Sequence, residues 1–146
     1  GIAPTPLSHG EWLDLLMAEV IQPGFAGERF TIIHEFPPEQ AALARIRRGD
    51  RAVAERFEVF LGRQELANGY QELTDPDEQL HRFERDNRLR HARGQDPIAI
   101  DTNLVEALRA GMPECSGVAL GVDRLLMSLL DLDHIDAVLT FSADRA

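Results

Sequence analysis

Between Ala54 and Leu61 apolar and polar positions alternate: Phe57, Val59 and Leu61 fall on one side, Arg56, Glu58 and Phe60 on the other. A period of two predicts a strand with unlike faces. Gly62-Arg63 then supplies a two-residue turn and Gln64 to Ala67 starts a return strand, so residues 54–72 predict a β-hairpin. Leu61 is expected opposite Gln64, Phe60 opposite Glu65 and Glu58 opposite Ala67. Asn68-Gly69 predicts a bulge or a tightened path beside a site, since glycine permits positive φ and close backbone approach. A second alternating run, Phe30 to Glu35, predicts a strand ended by Pro37-Pro38, with a short helical or irregular piece over 40–47.

Helical spacing appears on either side of these strands. Trp12, Leu15, Leu16 and Glu19 predict a helix over 9–20 with Ser8 as its N-cap and Pro23-Gly24 as its stop. Asp75-Pro76-Asp77-Glu78 combines a capping carboxylate, a first-turn proline and an acid three residues after the cap, which predicts a helix running to Gly94. Its apolar stripe is narrow, so Arg82, Arg85, Arg88, Arg90 and Arg93 are expected to face water or pair with acidic neighbours. The chain then predicts a helix over 102–110 that buries Leu104, Val105 and Leu108, a strand at 118–120, an apolar helix at 123–130 and a final strand at 137–141. A marked hairpin among interspersed helices favours an α+β fold, an antiparallel sheet flanked by helices, over a parallel doubly wound sheet. No Gly-x-Gly-x-x-Gly follows a strand and no loop ends in Gly-Lys-Ser/Thr, so the two common nucleotide-binding folds are disfavoured.

A length of 146 residues fits one domain. The formal net charge of −10 repels phosphate polymers and argues against a general nucleic-acid binder. Cys115 is the single cysteine, so neither an internal disulfide nor a multi-cysteine metal site is expected. No run approaches the roughly 20 apolar residues that cross a bilayer, and the opening lacks signal-peptide features, so a cytoplasmic location with no membrane partner is the expectation.

Three clusters carry candidate chemistry. Glu58 and Glu65 fall on one hairpin face as diagonal neighbours, where a divalent cation carrying substrate phosphates would relieve their repulsion. Magnesium suits two carboxylates best, although the same spacing also describes two solvated glutamates. Asn68, Tyr70 and Glu72 form an amide, phenol and carboxylate set able to hold an alkyl ammonium group. Regular alternation would put them on the face opposite Glu65, and a polar surface hairpin is the alternative reading. Gly117-Val118-Ala119-Leu120-Gly121-Val122-Asp123-Arg124 couples small residues, which let a planar ligand approach, to an arginine at a helix start, where an anion, a ring or Asp123 would compensate its charge. A closely packed strand with a surface arginine is the alternative there.

Arg56-Phe57-Glu58, Glu65-Leu66-Ala67-Asn68-Gly69-Tyr70-Gln71-Glu72-Leu73-Thr74-Asp75 and Gly117 to Arg124 together resemble the class II lysyl-tRNA synthetase catalytic domain, across most of residues 28–146. Cys115 to Arg124 and the terminal Phe141-Ser142-Ala143-Asp144-Arg145-Ala146 are more similar still to the stand-alone elongation factor P lysine ligases. The resemblance implies a six- or seven-stranded antiparallel sheet and a homodimer. It implies ATP and magnesium as cofactors, with Glu58 and Glu65 holding the ion. Asn68, Tyr70, Glu72 and Ala119 would line the aminoacyl pocket, with Gly121 and Arg124 at the nucleotide and Arg124 as the catalytic cation. Ala119 departs from the smaller surface usual in tRNA-charging enzymes, which implies a different amino acid. The implied reaction activates lysine or β-lysine as an adenylate and transfers it to a lysine of elongation factor P. Lysyl-tRNA synthesis and a non-catalytic interaction module are the alternatives. Nothing resembles motifs 1 and 2, so residues 1–146 are expected to be the carboxyl-terminal part of such a domain, inactive by themselves.

Overall fold

The computed structural model describes residues 7–142. Its centre is an antiparallel sheet of β1 (Phe30–Phe36), β3 (Val53–Leu61), β4 (Gln64–Gln71) and β5 (Ser116–Leu120) in spatial order β1-β3-β4-β5, with the short β2 (Ile46–Arg47) beside β3. The hairpin forms where alternation and Gly62-Arg63 predict it: Leu61 pairs with Gln64 and Phe60 with Glu65. Gly62 adopts φ of 54°, the left-handed value that such a turn demands. Where β3 and β4 part, the 44–47 segment wedges between them. Ala44 bridges Glu72, Ile46 pairs with Ala54, and Arg45 joins both strands through Arg45 N–H to Gln71 O at 2.8 Å and Glu55 N–H to Arg45 O at 2.9 Å.

The helices are α1 (His9–Leu16), α2 (Pro76–Ala92), α3 (Thr102–Ala110) and α4 (Val122–Leu130). Ser8 caps α1 in a reciprocal capping box with Glu11, and the chain continues through tighter and wider turns to Gly24, the expected stop. Asp75 caps α2 through the amides of Asp77 and Glu78, with Pro76 in the first turn. This is an α+β fold, with five strands and flanking helices among the described residues.

Arg82 takes the second of its two expected fates, pairing with the acidic neighbour Glu78 one turn away, but it does so buried: at 4% exposure it also donates from Nη1 to the carbonyls of Ala42 and Ala44 at 2.9 and 2.8 Å. Those carbonyls lack ladder partners, and a buried cation that saturates them ties α2 to the 38–44 loop. In α3, Val105 and Leu108 are buried but Leu104 is exposed. The final strand predicted at 137–141 does not form. Residues Ile135–Ala137 make a single 3-10 turn that lies against α4, and residues 138–142 pair with no sheet edge. The part of the terminal segment at 143–146 lies outside the described residues.

The sheet's two faces differ in chemistry. Phe30, Ile32, Val59, Leu61, Val118 and Leu120 share one face by their registers, and Phe30 and Val118 on its flanking strands are more than 60% exposed. The opposite face carries Arg56, Glu58, Glu65, Asn68 and Tyr70. At one end of it Ala41, Ala44 and Ala54 form a small core with Phe36, Ile46 and Tyr70 packed around it, and at the other Phe25 meets Phe60 edge-on with ring centroids 5.3 Å apart. Among the described residues no helix is long and apolar enough to cross a membrane.

Candidate functional site

Paired residues in a sheet share a face, as do alternate residues along one strand. Phe60 pairs with Glu65, yet Glu58 pairs with Asn68, so the register slips and Leu66 is an extra residue on β4 relative to β3. Glu58 therefore faces Asn68 rather than Ala67, and the bulge lies at Leu66, two residues before the Asn68-Gly69 position where composition suggested it. Glu65 and Asn68 are three apart, an odd spacing that regular alternation would send to opposite faces; one extra residue brings both up together. Tyr70 follows on the same face. Gly69 serves the other side, where the Phe57 ring lies so close that any Cβ would overlap it.

Glu58 sits in a bonded cluster. The Arg56 guanidinium pairs with Glu58 Oε1, and Asn68 Nδ2 donates to the same oxygen at 3.2 Å. Side-chain exposure is 17% for Arg56 and 13% for Glu58, so the pair is held away from solvent. Burial pushes the Glu58 carboxyl above its ordinary value; Arg56 opposes that rise, while the charges of Glu65 and Asp14 add to it. A carboxyl raised on folding costs the folded state stability once it ionises, so stability should fall as pH climbs from 4.5 through the raised value. Glu58→Gln is accordingly expected to melt above the wild type at neutral pH, with the two melting curves converging below about pH 4. Equal pH profiles for the two proteins would contradict this.

Glu72 reaches back over β5. Its Oε1 occupies the space that a Cβ on residue 117 would need, so Gly117 is the floor on which this carboxylate rests. Gly117 pairs with Tyr70 and Ala119 with Asn68, which puts the Ala119 methyl on the same face as the amide. Asn68, Tyr70, Glu72 and Ala119 thus gather on the face that carries Glu58 and Glu65. Tyr70 is also a packing residue, against the small alanine core.

Arg124 lies one turn into α4, and its Nη1 donates to the Glu65 backbone carbonyl at 3.0 Å. Gly121, the N-cap, donates its amide to Leu66 O at 2.8 Å, and Ser128 Oγ donates to Gln64 Oε1 at 2.8 Å. The helix that carries the arginine is therefore registered on the residues bracketing the bulge. The unfavourable charge at a helix start is met here by a main-chain oxygen.

No group of three or more His, Cys, Asp or Glu side chains among the described residues could hold a metal ion by itself. Glu58 and Glu65 nevertheless suit a magnesium ion that arrives with phosphate: two carboxylates on one face, one partly desolvated and raised by the other, leave most of an octahedral shell to water and phosphate oxygens. Arg56 is the polar residue that sequence reasoning missed, although its position two before Glu58 already assigned it to the same face.

The family model described as tRNA synthetases class II (D, K and N) matches residues 21–145.

Proposed function

This chain belongs to the class II tRNA synthetases (D, K and N), and from that premise we propose that the intact protein containing it activates lysine or β-lysine with ATP and transfers the aminoacyl group to a lysine of elongation factor P. The observation that carries the choice of amino acid is Glu72, whose carboxylate rests on Gly117 beside Asn68 and Tyr70. A carboxylate at this place on the sheet face complements an ammonium-bearing side chain and repels aspartate. Ala119 adds a methyl beside Asn68, a reason for an amino-acid shape other than that of ordinary lysine.

In the proposed first step an oxygen of the substrate carboxylate attacks the α-phosphorus of ATP. The bond to the bridging oxygen breaks, pyrophosphate leaves and an aminoacyl adenylate remains. A bound magnesium ion would offset phosphate charge. Glu58 and Glu65 would hold it, Arg124 would stabilise charge on the phosphate oxygens, and Glu72 with Asn68 would orient the amino acid. Positioning and electrostatics carry such a step without a protein nucleophile. In the second step the acceptor lysine amine attacks the activated carbonyl and AMP departs. A homodimer, ATP and magnesium accompany this reading.

The second reading, lysyl transfer to tRNA, is favoured by the description of the matched family itself; the net charge of −10 weighs against it. The deciding experiment uses the intact protein and measures ATP–pyrophosphate exchange with lysine, β-lysine and aspartate, then transfer to elongation factor P and to tRNA. Exchange supported only by aspartate would overturn the amino-acid assignment, and tRNA charging without protein modification would overturn the acceptor.

Gly117→Ala isolates the contribution of Glu72. A Cβ there must displace the Glu72 carboxylate, so the half-saturating lysine concentration is expected to rise about 10–100-fold, the worth of one charge-assisted contact. Half-saturating ATP should change little. A parallel loss of ATP binding would instead point to general disruption of β5.

A further inference from the structure

Arg56 makes more polar connections than any candidate binding residue it touches. Its Nη2 pairs with Glu58 Oε1, its Nε donates to Asn68 Oδ1 at 3.3 Å, and its Nη1 donates to the Gln40 carbonyl at 2.9 Å. The guanidinium carbon lies 4.4 Å from the centroid of the Phe36 ring. One planar group is thus fixed by β1, by the 38–40 turn and by β4 at once.

This arrangement settles two orientations. Asn68 presents its oxygen to Arg56, which obliges its Nδ2 to point the other way, and that nitrogen donates to Glu58 Oε1. Glu58 in turn has Oε1 occupied by both partners, so Oε2 is the oxygen left to meet a ligand. A carboxylate free to rotate could offer either oxygen, and an amide free to flip could offer acceptor or donor. Arg56 removes both freedoms before anything binds, and low exposure of the pair strengthens the effect.

We propose that Arg56 is a positioning residue that couples the two halves of the site, fixing Glu58 for the cation–nucleotide and Asn68 for the amino acid. The inference rests on the nucleotide and amino-acid reading of those two residues. It goes beyond that reading in making one guanidinium, which contacts neither substrate, set the affinity for both. Lysine cannot replace it: an ammonium keeps the charge but has no planar fork to serve a carboxylate, an amide oxygen and a main-chain carbonyl together.

The test uses Mn2+ as a magnetic probe. Its affinity is measured in the presence of ATP for the intact protein and for its Arg56→Lys, Asn68→Ala and double variants, and half-saturating lysine and maximal pyrophosphate exchange are measured beside it. Arg56→Lys is expected to weaken Mn2+ binding and to raise half-saturating lysine, each by about tenfold, with a smaller fall in maximal exchange. Adding Asn68→Ala to Arg56→Lys should weaken lysine binding less than Asn68→Ala does alone, because the amide has already lost its orientation. Arg56→Gln, of similar polarity but uncharged, serves as the second variant and should not restore either affinity. If Arg56→Lys melts lower but binds Mn2+, ATP and lysine as the wild type does, the positioning role is refuted and the arginine is structural. If both affinities fall but the Asn68→Ala effect is fully additive, the coupling is refuted. A wild type that binds neither Mn2+ with ATP nor lysine overturns the functional reading first, and this inference with it.

Discussion

Replacing Glu58 and Glu65 together by glutamine is expected to lower lysine-dependent pyrophosphate exchange by about 10³-fold or more, the scale of several kcal/mol of charge stabilisation by a bound cation. Glutamine keeps the volume and one carbonyl oxygen at each position, so Arg56 and Asn68 retain an acceptor at residue 58. The loss is of the negative charge that shares one sheet face. Burial already disfavours the charged form of Glu58, so the double variant should lose activity without losing stability. Single replacements should fall between, and raising magnesium should recover them in part by mass action. Magnesium-titrated exchange and a thermal melt check the prediction together. Exchange within tenfold of wild type would remove the cation role from these residues.

Arg124→Ala is expected to cost about 10²–10³-fold in maximal exchange, the usual loss when one preorganised donor to a charged transition state is removed. Half-saturating lysine should hardly move, which separates this variant from Gly117→Ala. The guanidinium donates to the Glu65 carbonyl, so alanine also loosens the start of α4. Arg124→Lys addresses that: it restores positive charge but not the planar geometry, and should recover only part of the rate. Steady-state exchange as a function of ATP and lysine checks both variants. A loss confined to half-saturating lysine would move Arg124 out of the nucleotide role.

Much of this arrangement is legible from local chemistry. The hairpin can be read because alternation on both strands agrees with a two-residue turn containing glycine, and Asp75-Pro76 marks the start of α2 because cap and proline act within one turn. The bulge is harder. Asn-Gly is a general sign of irregular backbone, whereas the slip at Leu66 follows from the odd spacing of Glu65 and Asn68, which becomes informative only once both are required on one face. The pairing of Arg82 with Glu78 is legible from the helix, but its burial is not, because helix amphipathicity says nothing about two carbonyls some 40 residues away in sequence that need donors. The strand expected at 137–141 carries suitable apolar residues, but a strand exists only where another edge accepts its hydrogen bonds, and here the chain makes the Ile135–Ala137 turn beside α4 and meets no sheet edge after it.

Leu66 is surplus only when β4 is measured against β3. Measured against β5 the same stretch runs without interruption, Ala67 pairing with Leu120 and the Leu66 carbonyl meeting the Gly121 amide. The strand is thus one residue longer to one neighbour than to the other. Removing Leu66 would make the pairing with β3 regular and leave Glu58, Asn68 and Ala119 in line, but it would take the Leu66 carbonyl from Gly121 and shift α4 by a residue relative to Gln64 and Glu65, the residues that Ser128 and Arg124 grip. The spacing between residues 65 and 68 is therefore tied to the grip of α4, and the Leu66 side chain itself is buried at 4% exposure.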